Sequence, residues 1–173
     1  MAQTLFEQNI LIAAPQAVVQ EHLAKLMTDV AEMHPFVVWT RHVQTTDAPD
    51  GTKIDHYLVH DRMKLGPFNL AFTYKVDMNV TATGQLVSNA YQSPGIHLYN
   101  QTWCEPADAE TRVSERIEIT APRWLMKTTY DGAAKAHKEM FANLKTKIEQ
   151  AEILAPSDSQ LGAKSSEKSE TLD

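Results

Sequence analysis

Residues 130–151 read YDGAAKAHKEMFANLKTKIEQA, a spacing typical of a helix with one buried face. Residues on that face recur at steps of three and four, the period of an α-helix. The opposite face is charged, as at Lys138 and Glu139. Pro122 suits a first helical turn, and Gly132 marks an expected bend because glycine weakens a helix. We predict a long helix over residues 122–152, with a buried face made of Tyr130, Ala133, Ala134, His137, Phe141, Leu144, Ile148 and Ala151.

Strands and two short helices precede this helix. The clearest strand is 67–80, where apolar residues such as Phe72 alternate with polar ones such as Lys75. The helical segments are 16–27 and 29–34, and the second of these fits either a helix or a turn. Short links between successive strands predict antiparallel pairing, since parallel pairs need long crossovers. The other predicted strands are 5–12, 36–46, 52–61, 85–92, 96–105 and 111–121.

The order β-α-α-β6-α predicts an α+β fold. Clean alternation indicates that one face of the sheet is solvated and the other is covered. Only the C-terminal helix is long enough to cover it. We therefore expect a curved seven-stranded antiparallel sheet wrapped around that helix, with an internal cavity between them. A fully packed α+β sheet has the same pattern, so the cavity is a separate prediction.

Composition narrows the functional classes. The chain has 173 residues, of which 43% are hydrophobic and 22% charged, and its net charge is −6. These values predict one globular domain over 1–153, followed by a disordered polar tail over 154–173 that is rich in Ser, Glu and Lys. No basic cluster favours nucleic acid, and no apolar run is long enough for stable membrane insertion. Without a signal-like N-terminus, we expect a cytoplasmic protein. Cys104, the single cysteine, excludes an internal disulfide framework.

The chain resembles the SRPBCC superfamily, which includes START domains, pollen-allergen-like proteins and polyketide cyclase/dehydrase-like proteins. The resemblance extends over the element order of residues 5–152. Locally it depends on ILIAAPQAV at 10–18, similar to the family's strand-to-helix entry, and on HKEMFANLK at 137–145, similar to its terminal helix. It implies a helix-grip fold with a hydrophobic pocket under the long helix for lipids, polyketides or other apolar small molecules. It implies no catalytic residue, because the superfamily shares no catalytic signature.

The H-x-x-x-H spacing of His56 and His60 suggests a metal site at first sight. On a strand, however, four residues span about 13 Å, which is too far for one ion. We therefore predict no metal and no cofactor. In the strand 52–61 the charged residues Lys53, Asp55 and Asp61 share one face, so His56, Leu58 and His60 are predicted to point inward.

Glu115 and His56 are the candidate acid/base residues. Glu115 lies among apolar neighbours in its strand, and burial would raise its pKa and suit it to proton transfer. The alternative is a structural glutamate paired with a nearby arginine. His137 is the polar group on the buried helix face, where a core histidine is the simpler interpretation. The predicted ligand-binding set is His56, Leu58, His60, Leu70, Phe72, Tyr74, Val76, Glu115, Ile117, Tyr130, Ala134 and His137.

Three functions stay open at this point. The favoured one is binding or transport of a hydrophobic small molecule, namely a lipid, a polyketide or an aromatic compound. The alternative is a polyketide cyclase- or dehydratase-type enzyme that uses polar residues in the cavity for acid/base chemistry. The third is an interaction module that keeps the fold without a ligand. The sequence does not indicate the ligand, the oligomeric state or the face that residues 96–105 turn toward the cavity.

Overall fold

The structure, a computed structural model, describes residues 1–65 and 68–154. The predicted tail over 154–173 lies outside the described residues apart from Leu154. The chain forms seven strands and three helices, in the predicted order: β1 (Ala2–Ile12), α1 (Gln16–Ala24), α2 (Leu26–Met33), β2 (Val37–Asp47), β3 (Lys53–Leu65), β4 (Phe68–Val80), β5 (Leu86–Gln92), β6 (Ile96–Ala107), β7 (Glu110–Ala121) and α3 (Met126–Leu154).

All seven strands belong to one curved antiparallel sheet, so the predicted fold class is confirmed. The strand order is β1-β7-β6-β5-β4-β3-β2, so consecutive strands from β2 to β7 are neighbours. β1 lies beside β7 and pairs with it along its whole length, from Ala2 opposite Ala121 to Ile12 opposite Thr111. Strands β1 and β2 are therefore the two edges of the sheet.

Helix α3 packs against the sheet through residues spaced three and four apart, as the sequence predicts. Its fully buried residues are Ala136, Met140, Phe141, Leu144 and Ile148. The helix begins at Met126, after a turn in which the Leu125 amide donates to the Pro122 carbonyl. It continues through Gly132 as one uninterrupted helix, so no helix break occurs at the expected bend. Ala151, predicted to be buried, is exposed because the helix extends past the sheet there.

The two halves of α3 carry side chains of different size on their inner face. The C-terminal half presents Met140, Phe141, Leu144 and Ile148, which belong to the main core cluster with α1, α2 and the central strands. The N-terminal half presents Ala133 and Ala134 to a smaller cluster with Phe6 and Ile117. Small side chains cannot fill the space between a helix and a curved sheet. Room is therefore left under the N-terminal half of α3.

Helix α2 is held against α3 by polar contacts from the C-terminal half of α3. The Asn143 side chain donates to the Met33 carbonyl at 2.7 Å, which satisfies one of the carbonyls left free at a helix end. Lys147 forms an ion pair with Asp29 at 2.8 Å. Residues 26–33 thus form the second short helix, which begins earlier than the predicted 29–34. Among the described residues, no helix is both long and apolar enough to cross a bilayer.

The predicted inward face of β3 is wrong. β3 pairs with β4 from Leu65 opposite Phe68, so each odd-numbered residue of β3 lies opposite an even-numbered residue of β4. Val76 and Met78 of β4 are buried, and therefore Val59 and Asp61 of β3 are buried as well. The β3–β4 register sets this parity, and a slip of one residue reverses every side chain of a strand.

Candidate functional site: a cavity between the sheet and α3

A cavity of about 440 Å³ lies between the curved sheet and the N-terminal half of α3. The helix contributes Gly132, Ala133 and Ala136, whose small size leaves the space open. A Cβ added to Gly132 would meet no atom within 4 Å, apart from its own helix backbone and chain neighbours. Most of the wall is apolar, and the sheet and the turn before α3 supply Leu70, Phe72, Ile96, Leu98, Ile117 and Leu125.

One polar group in the cavity wall is a buried carboxyl on β3. Asp61 is only 4% exposed, and the Tyr74 hydroxyl on β4 donates to its Oδ2 at 3.2 Å. No donor among the described residues reaches its Oδ1. Burial raises the pKa of Asp61 to about 6, although the Tyr74 hydrogen bond acts in the opposite direction. Burial and the neighbouring Asp61 carboxylate also raise the pKa of Tyr74. Tyr74 is therefore a hydrogen-bond donor, not an anion.

A second polar group joins β7 to α3. Glu115 is 1% exposed and accepts hydrogen bonds from Gln8 Nε2 at 2.7 Å, Asn100 Nδ2 at 2.7 Å and His137 Nδ1 at 3.0 Å. Burial opposes ionisation of Glu115, but the His137 charge and these three donors lower its pKa below the usual value. Burial likewise opposes charging of His137, and Glu115 outweighs it, so the pKa of His137 is raised. The two residues form a buried ion pair.

His34, at the end of α2, adds a third polar side chain to the wall. Burial, followed by the charge of His137, lowers the pKa of His34 to about 3. The two imidazole rings meet edge to face with centroids 5.8 Å apart. Because two adjacent buried imidazoliums would repel each other, the protein keeps His34 neutral and His137 charged. Near neutral pH, His34 therefore offers the cavity an uncharged polar group.

The fold of this chain is similar to folds of known proteins, whereas its sequence is not. No protein-family model matches the chain, and no curated protein matches it. The aromatase/cyclase ZhuI from Streptomyces sp. R1128 is 12% identical, with a TM-score of 0.64 over 90% of this chain and 99% of that one. A START superfamily protein from Mycobacterium smegmatis is 10% identical, with a TM-score of 0.61 over 85% of this chain and 98% of that one.

The fold is the helix-grip fold seen in these two proteins. The di-domain ARO/CYC BexL, from the BE-7585A biosynthetic pathway, has it too, at 13% identity and a TM-score of 0.66. That match covers 85% of this chain, which spans half the length of BexL. Identities this low show a shared fold and no shared activity. The site of this helix-grip chain must therefore be judged from its own residues.

Five of the predicted ligand-binding residues line the helix-grip cavity. They are Leu70, Phe72, Tyr74, Ile117 and His137. Glu115 lies behind His137 and is not part of the wall. Val76 is in the main core, while Tyr130 and Ala134 pack with the cluster around Phe6.

The predicted wall residues His56, Leu58 and His60 lie on the opposite face of the sheet. The odd-numbered residues of β3, not the even-numbered ones, point toward α3. His56 Nδ1 lies 2.6 Å from Asp77 Oδ1, and its Nε2 lies 2.8 Å from the Thr46 hydroxyl. His60 stacks on Trp39 with ring centroids 5.2 Å apart. Among the described residues, no group of three or more His, Cys, Asp or Glu side chains could hold a metal ion.

Sequence reasoning missed Asp61 and His34 as wall residues. Asp61 was grouped with the solvated Lys53 and Asp55, and only the parity of the β3–β4 connection reveals its true face. The face of β6, left open by the sequence, follows from its pairing with β7. Asn100 lies opposite Ile117, so Leu98 and Asn100 face the cavity while His97 and Tyr99 face away.

Proposed function

We propose that the chain binds a hydrophobic small molecule, a lipid, a polyketide or an aromatic compound, in the cavity under α3. The observation that supports this most is the cavity itself, about 440 Å³ in volume and mostly apolar, with a few polar side chains in its wall. Small-molecule sites are typically concave and hydrophobic, with volumes of about 300–1,000 Å³ and a small number of placed polar groups. The structural similarity to ZhuI, an aromatase/cyclase, and to BexL, an ARO/CYC, favours a polyketide-like or aromatic guest.

A second candidate function is acid/base catalysis of the cyclase or dehydratase type on such a guest. One observation favours it, namely a carboxyl in the cavity wall with a pKa of about 6. An acid that titrates near neutral pH can both accept and donate a proton. In this version Asp61 moves the proton, Tyr74 holds Asp61 through its hydrogen bond to Oδ2, and His137 is a hydrogen-bond donor to the substrate. His56 has no part in it, and Glu115 holds His137 in place.

The binding proposal is tested with N-phenyl-1-naphthylamine, an uncharged dye that fluoresces in apolar surroundings. We expect saturable binding of one dye per chain. Ala133→Trp places a large ring in the cavity wall and should weaken binding at least about tenfold, whereas Lys135→Trp, on the exposed side of the same helix, should leave it unchanged. Binding that is unsaturable, or equally strong in both variants, would place the dye elsewhere and refute the proposal.

Carrier and enzyme differ in what happens to the bound molecule. Native mass spectrometry of protein purified from its own source gives the mass of a retained guest. A guest that keeps its mass and connectivity after prolonged incubation with fresh protein supports a carrier. A guest that is converted by the native chain, but not by Asp61→Asn, supports the enzyme. Cytoplasmic location and independence from a cofactor stay predictions.

A further inference from the structure

The Asp61 carboxyl is half-satisfied, and the residue belongs to the cavity wall. Oδ2 accepts from the Tyr74 hydroxyl at 3.2 Å, whereas no donor among the described residues reaches Oδ1. With 4% of the residue exposed, bulk water does not hydrate it freely. A buried polar atom without a partner is costly, and native structures rarely contain one without a reason. A missing donor at this point indicates that something else supplies it.

The charges around the cavity are not balanced. The described residues of its wall include no Lys or Arg. His137 is paired with Glu115, which together contribute no net charge, and His34 is neutral. Among the wall residues that the structure describes, ionised Asp61 therefore has no cationic partner. A ligand that carries a carboxylate or phosphate would meet an uncompensated like charge there, while a ligand with a hydrogen-bond donor would relieve it.

Aromatic surface lies next to this carboxyl. Phe72 is opposite Asp61 in the β3–β4 register, and its ring centroid is 5.9 Å from that of Tyr74. Both rings belong to the cavity wall. Flat aromatic guests pack well on such rings, with energies beyond those of area burial alone. An aromatic body beside Phe72 would bring a substituent on its edge to Asp61.

We propose that the cavity selects aromatic molecules bearing a hydroxyl or amine, whose N–H or O–H donates to the Asp61 carboxyl, and that it disfavours anionic amphiphiles such as fatty acids. This inference rests on the proposed binding function and specifies its ligand class. Tyr74 is a positioning residue, since its hydroxyl donates to Oδ2 and orients the carboxyl. Phe72 provides the surface on which the aromatic body lies.

Four naphthalenes with one varied substituent test the proposal by displacement of N-phenyl-1-naphthylamine. They are 2-naphthol, 2-(aminomethyl)naphthalene, 2-methylnaphthalene and 2-naphthoate. A hydrogen bond to a charged acceptor predicts that the two donor compounds bind at least about tenfold more tightly than 2-methylnaphthalene. The carboxylate should bind more weakly than 2-methylnaphthalene. The relative order of the alcohol and the amine then shows whether a neutral or a charged donor fits better.

Two variants assign the preference to Asp61. In Asp61→Val, a replacement of similar size, the donor compounds should lose their advantage, 2-naphthoate should gain affinity, and 2-methylnaphthalene should bind at least as tightly as it binds the native chain. Tyr74→Phe keeps Asp61 and should keep the preference. Thermal unfolding of each variant verifies that it is folded, and the ligand series on the native chain decides the matter even if Asp61→Val does not fold.

The outcomes separate this inference from the function on which it rests. If 2-methylnaphthalene and 2-naphthol bind the native chain equally, or 2-naphthoate binds best, the inference is overturned while hydrophobic binding stands. A donor preference that persists undiminished in Asp61→Val overturns it too, because another group must then recognise the donor. If none of the four compounds nor the dye binds, both the proposed function and the inference fall.

Discussion

Glu115 shows that a buried glutamate can be an acid of raised pKa or an ionised carboxylate, depending on its hydrogen-bond donors. From sequence it was a candidate acid/base residue, since it lies between Val113 and Ile117 on a buried strand face. Burial alone would indeed raise its pKa. Three donors on β1, β6 and α3 reverse the outcome and keep it ionised. None of those donors is near Glu115 in sequence, so no local pattern could reveal them.

Substituting Glu115 tests this arrangement at the level of one imidazole. In Glu115→Gln the amide oxygen can still accept from His137 Nδ1, but the negative charge is gone while burial remains. The pKa of His137 should therefore fall from above 6.5 to below it. An NMR titration of the His137 Cε1–H signal measures this change. Gln8→Ala is the matched control, because it removes one donor to Glu115 and keeps the charge, so the pKa of His137 should stay raised. A pKa still above 6.5 in Glu115→Gln would contradict the ion pair.

At the scale of elements, the order and pairing of the strands follow from the sequence, but the faces they turn inward do not. Alternation in β4 is unambiguous, and its predicted buried face, with Val76 and Met78, agrees with the structure. β3 carries its histidines on one face and its carboxylates on the other, so alternation alone does not orient it. The register between β3 and β4 sets the parity and decides which β3 side chains line the cavity. A change of side-chain size along α3 was visible in the sequence and indicates where the cavity lies, under the small residues.

Gly132 illustrates the link between the helix and the cavity. Glycine lowers helix stability by about 1 kcal/mol relative to alanine. A Cβ at this position would meet no atom within 4 Å, since it would enter open space beside the cavity. Gly132→Ala should therefore raise the free energy of unfolding by about 0.5–1 kcal/mol, as measured by urea denaturation, and leave dye binding within about twofold. Destabilisation would mean that the space is already occupied and would count against the cavity. Ala142→Gly, on the exposed face, should lower stability by a similar amount.

For the whole molecule, the cavity and its polar groups lower the free energy of unfolding. A tightly packed core would place large apolar side chains under all of α3, whereas this chain presents Gly132, Ala133 and Ala136 to the cavity and resumes large apolar side chains at Met140. Asp61 adds to the cost, because a buried carboxyl without a cation disfavours the folded state whenever it is ionised. Such violations of core-packing rules concentrate at functional sites. The free energy of unfolding of the chain should therefore depend on whether Asp61 is ionised.

The pH dependence of unfolding makes that cost measurable. The pKa of Asp61 is about 6 in the folded chain and near 3.8 when exposed, so between these values only the folded chain holds the proton. Acidification through this window stabilises the native protein, and the gain is absent from Asp61→Asn. We expect the variant to be more stable at about pH 7.5, by up to about 3 kcal/mol, and this gap to close by about pH 4. Urea unfolding of both proteins at several pH values measures the gap. In Tyr74→Phe, loss of the donor to Oδ2 should raise the pKa of Asp61 further and move the stabilisation to higher pH. A difference in unfolding free energy that does not vary with pH would show that Asp61 is hydrated in the native state. The carboxyl would then have no need of a hydrogen-bond donor from the guest.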